Sequence, residues 1–212
     1  MSHNFTRILA LSPHTDDVEL GAGGAVAKWI EEGKEVFYIT FSTAEKSVPE
    51  GFPKDILEQE VKAATKMLGV AQENLYIYKF EVRIFPQLRQ DILETMVGLR
   101  EKLKPELVLL PSLNDTHQDH HVIAEEGIRA FKYTNILSYE LPWSLFHFSP
   151  SSFVALERRH LDKKVQAISC YQSQKHRHYT NKEFFYGLAQ VRGVQINRDY
   201  AEAFEVLRWV IN

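Results

Sequence analysis

The chain has 212 residues, a length that fits one domain, and its 44% hydrophobic and 25% charged residues with 10 Gly and 8 Pro exclude disordered, collagen-like and low-complexity classes. Twenty-five Lys and Arg against 28 Asp and Glu give a net charge of -3, so nothing points to nucleic acid as a partner. No apolar run reaches the roughly 18 residues that a membrane span needs, no signal-peptide pattern opens the chain, and the single Cys170 matches a reducing compartment, so a cytoplasmic location is expected.

Short runs rich in Ile, Val, Leu, Tyr and Phe predict strands at Ile8 to Leu11, Val36 to Phe41, Leu75 to Phe80, Leu107 to Leu110 and Ile136 to Leu141. Helical periodicity lies between them, over Ala25 to Glu32, Lys54 to Leu68, Gln87 to Leu103 and Val122 to Phe131. Gly33, Gly69 and Pro105 follow the first three helices, where such residues end a helix. This alternation predicts an α/β fold with a parallel, doubly wound sheet covered on both faces. Beyond residue 149 the pattern loosens into a strand at Phe153 to Leu156, helices near Leu161 to Cys170 and Glu183 to Val191, and a last segment, Ala201 to Trp209. We read residues 1–212 as one domain, with 150–212 an elaboration of it. No solenoid-length repeat or flexible linker is evident.

Two loops carry the chemistry. Ser12-Pro13-His14-Thr15-Asp16-Asp17-Val18-Glu19 follows the first strand, and Asp115-Thr116-His117-Gln118-Asp119-His120-His121 follows the fourth. In a doubly wound sheet, strands 1 and 4 flank the point where the chain reverses its order, and ligands bind beyond their carboxyl ends. The topology would therefore bring the two loops together. A catalytic zinc takes about three His or carboxylate ligands and keeps a further position for water. His14, Asp17 and His120 satisfy that count, with Fe2+ or Co2+ suited to the same donors. Asp16 is placed to act as general base, His117 as an imidazolium donor to the oxyanion and leaving nitrogen, and Asp119 as the carboxylate that fixes a histidine ring.

Ordinary roles compete with these. Asp16 or Asp17 could cap a helix. His3, His121, His147, His160, His176 and His178 read as ordinary histidines, with His121 at most in the outer shell of the site. The Gly21-Ala22-Gly23-Gly24 stretch fails the dinucleotide pattern at Val26, and its glycines read instead as a close approach between the first helix and the site loop.

Pro13-His14-Thr15-Asp16-Asp17-Val18-Glu19-Leu20-Gly21-Ala22-Gly23-Gly24, with Asp115-Thr116-His117-Gln118-Asp119-His120 downstream, resembles the LmbE/PIG-L family of zinc-dependent N-acetylglucosamine deacetylases. Tyr139-Glu140-Leu141-Pro142, Lys164-Val165 through Tyr171-Gln172-Ser173-Gln174 and Tyr200-Ala201-Glu202-Ala203-Phe204 extend the likeness over nearly the whole chain. The resemblance implies a Rossmann-like three-layer αβα sandwich with a mostly parallel sheet, and hydrolysis of the acetamide of an N-acetylated sugar or sugar conjugate. It gives the same zinc ligands, His14, Asp17 and His120, with Asp16 as base, His117 assisting the transition state and Asp119 orienting His117. It also implies a homo-oligomer, a trimer or hexamer. Pro is common in relatives where this chain has Thr15 and Gln118, and arginine where it has Leu57, which bears on the substrate more than on the reaction. Arg83 and Arg89 are candidates for a positive pocket edge or ordinary surface arginines. Two rival functions are hydrolysis of another amide or ester on the same metal, and a non-catalytic metal-binding regulator.

Overall fold

The computed structural model describes residues 5–211, so His3 lies outside the described residues. Seven strands form one sheet in the order β3-β2-β1-β4-β5-β7-β6. β1 (Arg7–Ser12) pairs in parallel with β2 (Glu35–Thr40) on one side and with β4 (Leu107–Pro111) on the other. β3 (Leu75–Ile77) continues outward from β2, and β5 (Asn135–Tyr139) from β4, both in parallel. β7 (Tyr200–Arg208) is antiparallel to both β5 and β6 (Ser152–Leu156), so the sheet is mostly rather than wholly parallel.

Side chains alternate across β1 and sort into two cores. Ile8 and Ala10 face α1 (Asp17–Glu31), α2 (Ile56–Leu68), α5 (Arg158–Ser169) and α6 (Lys182–Val194). Leu9 and Leu11 face α3 (Arg89–Leu103) and α4 (Gln118–Ala130). Burial on both faces explains why the β1 and β4 sequences read as continuous apolar runs. Among the described residues no helix is long and apolar enough to cross a membrane.

The structure departs from the periodicity in three places. α1 begins at Asp17 rather than near Ala25, because Gly21, Gly23 and Gly24 are helical despite an intrinsic cost of about 1 kcal/mol each relative to Ala. Packing offsets that cost, but the approach is to β5 and the carboxy-terminal elements rather than to the site loop. A Cβ on Gly21 would run into the Tyr139 ring, and one on Gly24 would sit 2.6 Å from Leu156 Cδ1. The buried Glu202 carboxylate accepts the Gly24 and Ala25 N–H groups at 3.0 and 2.6 Å and is itself paired with Lys164 Nζ at 2.6 Å. α4 likewise begins at Gln118, ahead of Val122, which places Asp119 and His120 in its first turn. The third strand is shorter than its apolar run, although Tyr78 and Phe80 still donate to the Thr40 and Phe41 carbonyls at 2.8 and 2.9 Å.

Gly21→Ala forces a methyl group into the Tyr139 ring and is expected to lower unfolding free energy by about 1–3 kcal/mol in denaturant melts; an unchanged midpoint would mean that Tyr139 yields freely. Glu106 accepts the Thr6 and Arg7 N–H groups at 2.7 and 3.0 Å and the Thr6 hydroxyl at 2.8 Å, and these bonds hold its carboxyl at about 2. A carboxyl depressed on folding stabilises the native state at and above its unfolded value near 4.5 and loses that contribution as pH falls towards 2. Because the group is partly exposed, Glu106→Gln should cost about 1 kcal/mol, or about 2–4 °C in thermal midpoint at pH 7, narrowing steadily below pH 4.5.

Candidate metal centre

The side-by-side pairing of β1 and β4 brings both motif loops to one end of the sheet. His14, Asp16, Asp17, His117 and His120 line a single cavity of about 210 Å³. Asp119 does not line it and stands behind His14.

Asp16 occupies the N-cap position of α1 but makes no side-chain capping bond. Asp17, the first residue of the helix, accepts the His14 N–H on Oδ2 at 2.8 Å. On the other loop His117 caps α4, its Nδ1 accepting the Asp119 N–H at 3.2 Å, so its ring proton belongs on Nε2.

Carboxylates from outside the cavity fix the rings. His14 Nε2 donates to Asp119 Oδ2 at 3.0 Å, and His120 Nδ1 donates to Asp115 Oδ2 at 2.8 Å. Each ring thereby turns its other nitrogen inward. His14 Nδ1 and His120 Nε2 lie 3.2 Å apart, and each is 3.3 Å from Asp17 Oδ2. Two imidazole lone pairs and a carboxylate oxygen so placed repel unless a proton or a cation lies among them. Tetrahedral zinc with ligands at about 2.0–2.1 Å separates its donors by about 3.3 Å, so this donor set fits that ion. His117 is also within reach: donor atoms of His14, His117 and His120 fall within 4.8 Å of one another. The tighter spacing favours Asp17 as the third ligand.

Titration behaviour follows the same contacts. Burial works against charge on His120, but Asp17 and Asp115 outweigh it and raise the ring to about 10; His14 is raised in the same way by Asp119 and Asp17. Burial alone would raise Asp17, yet the two rings hold it well below the usual carboxylate range. Asp16 has no such partner, and burial together with the Asp17 charge pushes it up to about 6. Burial and the neighbouring rings push His117 down to about 4, which favours its neutral form where the sequence reading has an imidazolium.

The Asp119 carboxylate orients His14, while only the Asp119 backbone N–H reaches His117; the remaining carboxylate bonds tie Asp119 to another loop: Oδ2 also accepts the Arg83 N–H at 2.6 Å, and Oδ1 accepts the Phe85 N–H at 3.3 Å. Arg83 reaches that position with φ of 73°, in the left-handed region that disfavours non-glycine residues. Its guanidinium bonds Lys46 O and Ser47 Oγ, while Arg89 pairs with Glu126 at 2.8 Å; neither lines the cavity, whereas Leu57 does. His121, His147, His160, His176 and His178 are likewise absent from its lining.

Sequence reasoning passed over Asp115, although it belongs to the second motif; it braces His120, accepts the His117 N–H at 2.9 Å and is bonded by Ser144 Oγ at 2.9 Å. It also passed over Trp143, Gln174, Arg177 and Tyr179, which complete the cavity wall. Beneath the first loop the Thr15 carbonyl accepts from the Tyr38 and Tyr171 hydroxyls at 2.9 and 2.6 Å. Both phenols also contact buried Glu19, whose carboxyl burial raises to about 8.

A mostly parallel α/β sheet with a carboxylate–imidazole row at its switch point defines a Rossmann-like protein with a candidate mononuclear metal centre. A family model described as PIG-L, GlcNAc-PI de-N-acetylase, matches residues 9–131, and the chain belongs to that family. The chain is 25% identical over 171 residues to the uncharacterized deacetylase YaiS of Escherichia coli K12, covering 78% of this chain and 90% of that protein. It is 27% identical over 218 residues to 4-oxalmesaconate hydratase of Pseudomonas putida KT2440, covering 90% and 81% respectively. The fold is similar to that of N,N'-diacetylchitobiose deacetylase from Pyrococcus horikoshii complexed with an inhibitor, with a TM-score of 0.81 and 20% identity over 96% of this chain and 84% of that one.

Asp115→Asn should weaken metal binding by about 10–100-fold, because the amide no longer holds the His120 ring as a carboxylate does. Competition against a chelating dye would measure it, and unchanged affinity would remove His120 from the ligand set.

Proposed function

We propose that the protein is a cytoplasmic, zinc-dependent deacetylase that hydrolyses the acetamide of an N-acetylglucosamine-type sugar or sugar conjugate, with His14, Asp17 and His120 as ligands. The observation that carries this reading is the convergence of His14 Nδ1, Asp17 Oδ2 and His120 Nε2 at 3.2–3.3 Å, beside an Asp16 carboxylate committed to no cap. Family membership and the named deacetylases among the relatives support the reaction class. Zinc, when bound, supplies Lewis acidity towards the acetyl carbonyl and lowers the pKa of water; ferrous iron or cobalt would suit the same donors.

The chain's own groups do the rest. Asp16 accepts a proton from the attacking water as the water oxygen bonds to the acetyl carbon. The neutral His117 Nε2–H donates to the carbonyl oxygen as negative charge collects there. The C–N bond then breaks, the proton held by Asp16 passes to the departing nitrogen, and acetate and a free amine result. Asp119 and Asp115 hold the His14 and His120 rings and touch no reacting atom.

The similarity to a hydratase supports a second reading, in which the same cavity delivers water to a different electrophile. An uncommitted base beside the ligand triad disfavours a purely metal-binding role, which has no use for it. Asp16→Asn should retain about one metal per chain but lose on the order of 10²–10⁴ in kcat for acetate release, whereas His120→Ala should lose the metal itself. Metal content by mass spectrometry and acetate release from N-acetylglucosamine conjugates, with and without chelator, test both; activity indifferent to chelation would overturn the reading.

A further inference from the structure

Among the described residues Arg177 is the sole Lys or Arg in the lining of the cavity, and it enters from the segment between α5 and α6, far in sequence from both motifs. The side chain is solvent-exposed, yet it is fixed in one direction. Here both bonds that fix the side chain go to neutral acceptors: Nε donates to Gln174 Oε1 at 2.6 Å and Nη1 donates to the Tyr179 hydroxyl at 2.7 Å. Among the described residues, no carboxylate forms an ion pair with it. Asp16, which lines the same cavity, feels its charge without forming an ion pair with it.

The two neutral partners are themselves held firmly. The Tyr179 ring lies flat on Trp143, with centroids 4.0 Å apart and planes 7° from parallel. Gln174 donates to Ser173 Oγ at 3.0 Å, and Ser173 is anchored by its N–H and hydroxyl to the buried Glu60 of α2 at 2.9 and 2.6 Å. The Arg177 N–H closes the turn onto the Gln174 carbonyl at 3.0 Å. The fold thus spends a buried carboxylate, an amide, a phenol and an indole on holding one positive charge in place without cancelling it. Pre-organised donors of this kind recognise anionic oxygens, and the Nη2 hydrogens are not engaged by either fixing bond.

We propose that Arg177, braced by Gln174 and by the Trp143–Tyr179 stack, forms an anion-recognising subsite at the metal cavity and selects substrates that carry a phosphate or carboxylate next to the hydrolysed acetamide. The inference rests on the deacetylase reading for its substrate class and on the geometry alone for the subsite. Trp143 and Tyr179 add a flat aromatic surface beside the charge, suited to the apolar face of a sugar ring.

The test compares acetate release by zinc-loaded wild type, Arg177→Ala and Arg177→Lys from N-acetylglucosamine, its 1- and 6-phosphates, and N-acetylmuramic acid. Wild type should prefer one anionic substrate to the neutral sugar. The ratio of the two kcat/KM values should fall by about tenfold or more in Arg177→Ala and recover in part in Arg177→Lys, through KM rather than kcat. The phosphate and carboxylate arms decide which anion is read. A parallel loss on neutral and anionic substrates would overturn the subsite and leave Arg177 a structural residue. Calorimetric titration of glucose 6-phosphate against glucose separates this from failure of the deacetylase reading. If no substrate releases acetate, tighter binding of the phosphate that is lost in Arg177→Ala still supports the subsite, and equal binding by both proteins rejects it.

Discussion

The structure turns on one row of buried groups, Asp119, His14, Asp17, His120 and Asp115, in which acid and base alternate across the junction of two loops. Three carboxylates in a low-dielectric interior are tolerable only if positive charge is interleaved among them. With both rings neutral the row carries three negative charges, and a divalent cation at its centre offsets two of them. The outer carboxylates turn the rings, the rings aim their inner nitrogens, and the central carboxylate supplies the third donor. The Arg83 and Phe85 N–H groups on Asp119 and the Ser144 hydroxyl on Asp115 help to keep this order fixed.

Asp16 acquires its distinct character by exclusion from the row. Its neighbour Asp17 is pulled down by two imidazoles, while Asp16 has burial and a like charge beside it and is pushed towards neutrality. Adjacent residues of the same type are thus separated into a strongly acidic and a weakly acidic carboxyl by what faces them, the general route by which a site obtains two behaviours from one functional group.

Much of this was legible in the sequence because the information is local. Apolar runs marked β1 and β4, and the order in which a doubly wound sheet is laid down places the loops after them side by side. What escaped was set by contacts between distant positions. Three glycines concealed the first half of α1, since their reason to be helical lies in Tyr139, Leu156 and Glu202. The alternation that makes His14 the partner of Asp119 depends on which ring falls beside which carboxylate after folding, and no spacing rule specifies it. Arg177 sits in a polar stretch whose spacing gives no sign of a site, and contacts with Gln174 and with Tyr179, stacked on Trp143, hold it at the cavity. Nor did periodicity assign the last segment, whose strand completes the sheet between β5 and β6.

The grip on α1 bears on how far the site is a portable unit. Both motifs, and all of the carboxylates and histidines of the row, lie within residues 9–131, the stretch that the family model matches. The helix that carries Asp17 is nevertheless clamped from outside that stretch, at Gly21 by Tyr139, at Gly24 by Leu156, and along its backbone by Glu202 with Lys164 behind it. The chemistry is therefore compact in sequence while its geometry is distributed over the fold. A graft of the two loops onto another α/β sheet would transfer the donor groups without the register that brings them together, and insertions near the carboxy-terminal strand would be felt at this row of donors before they were felt at the surface.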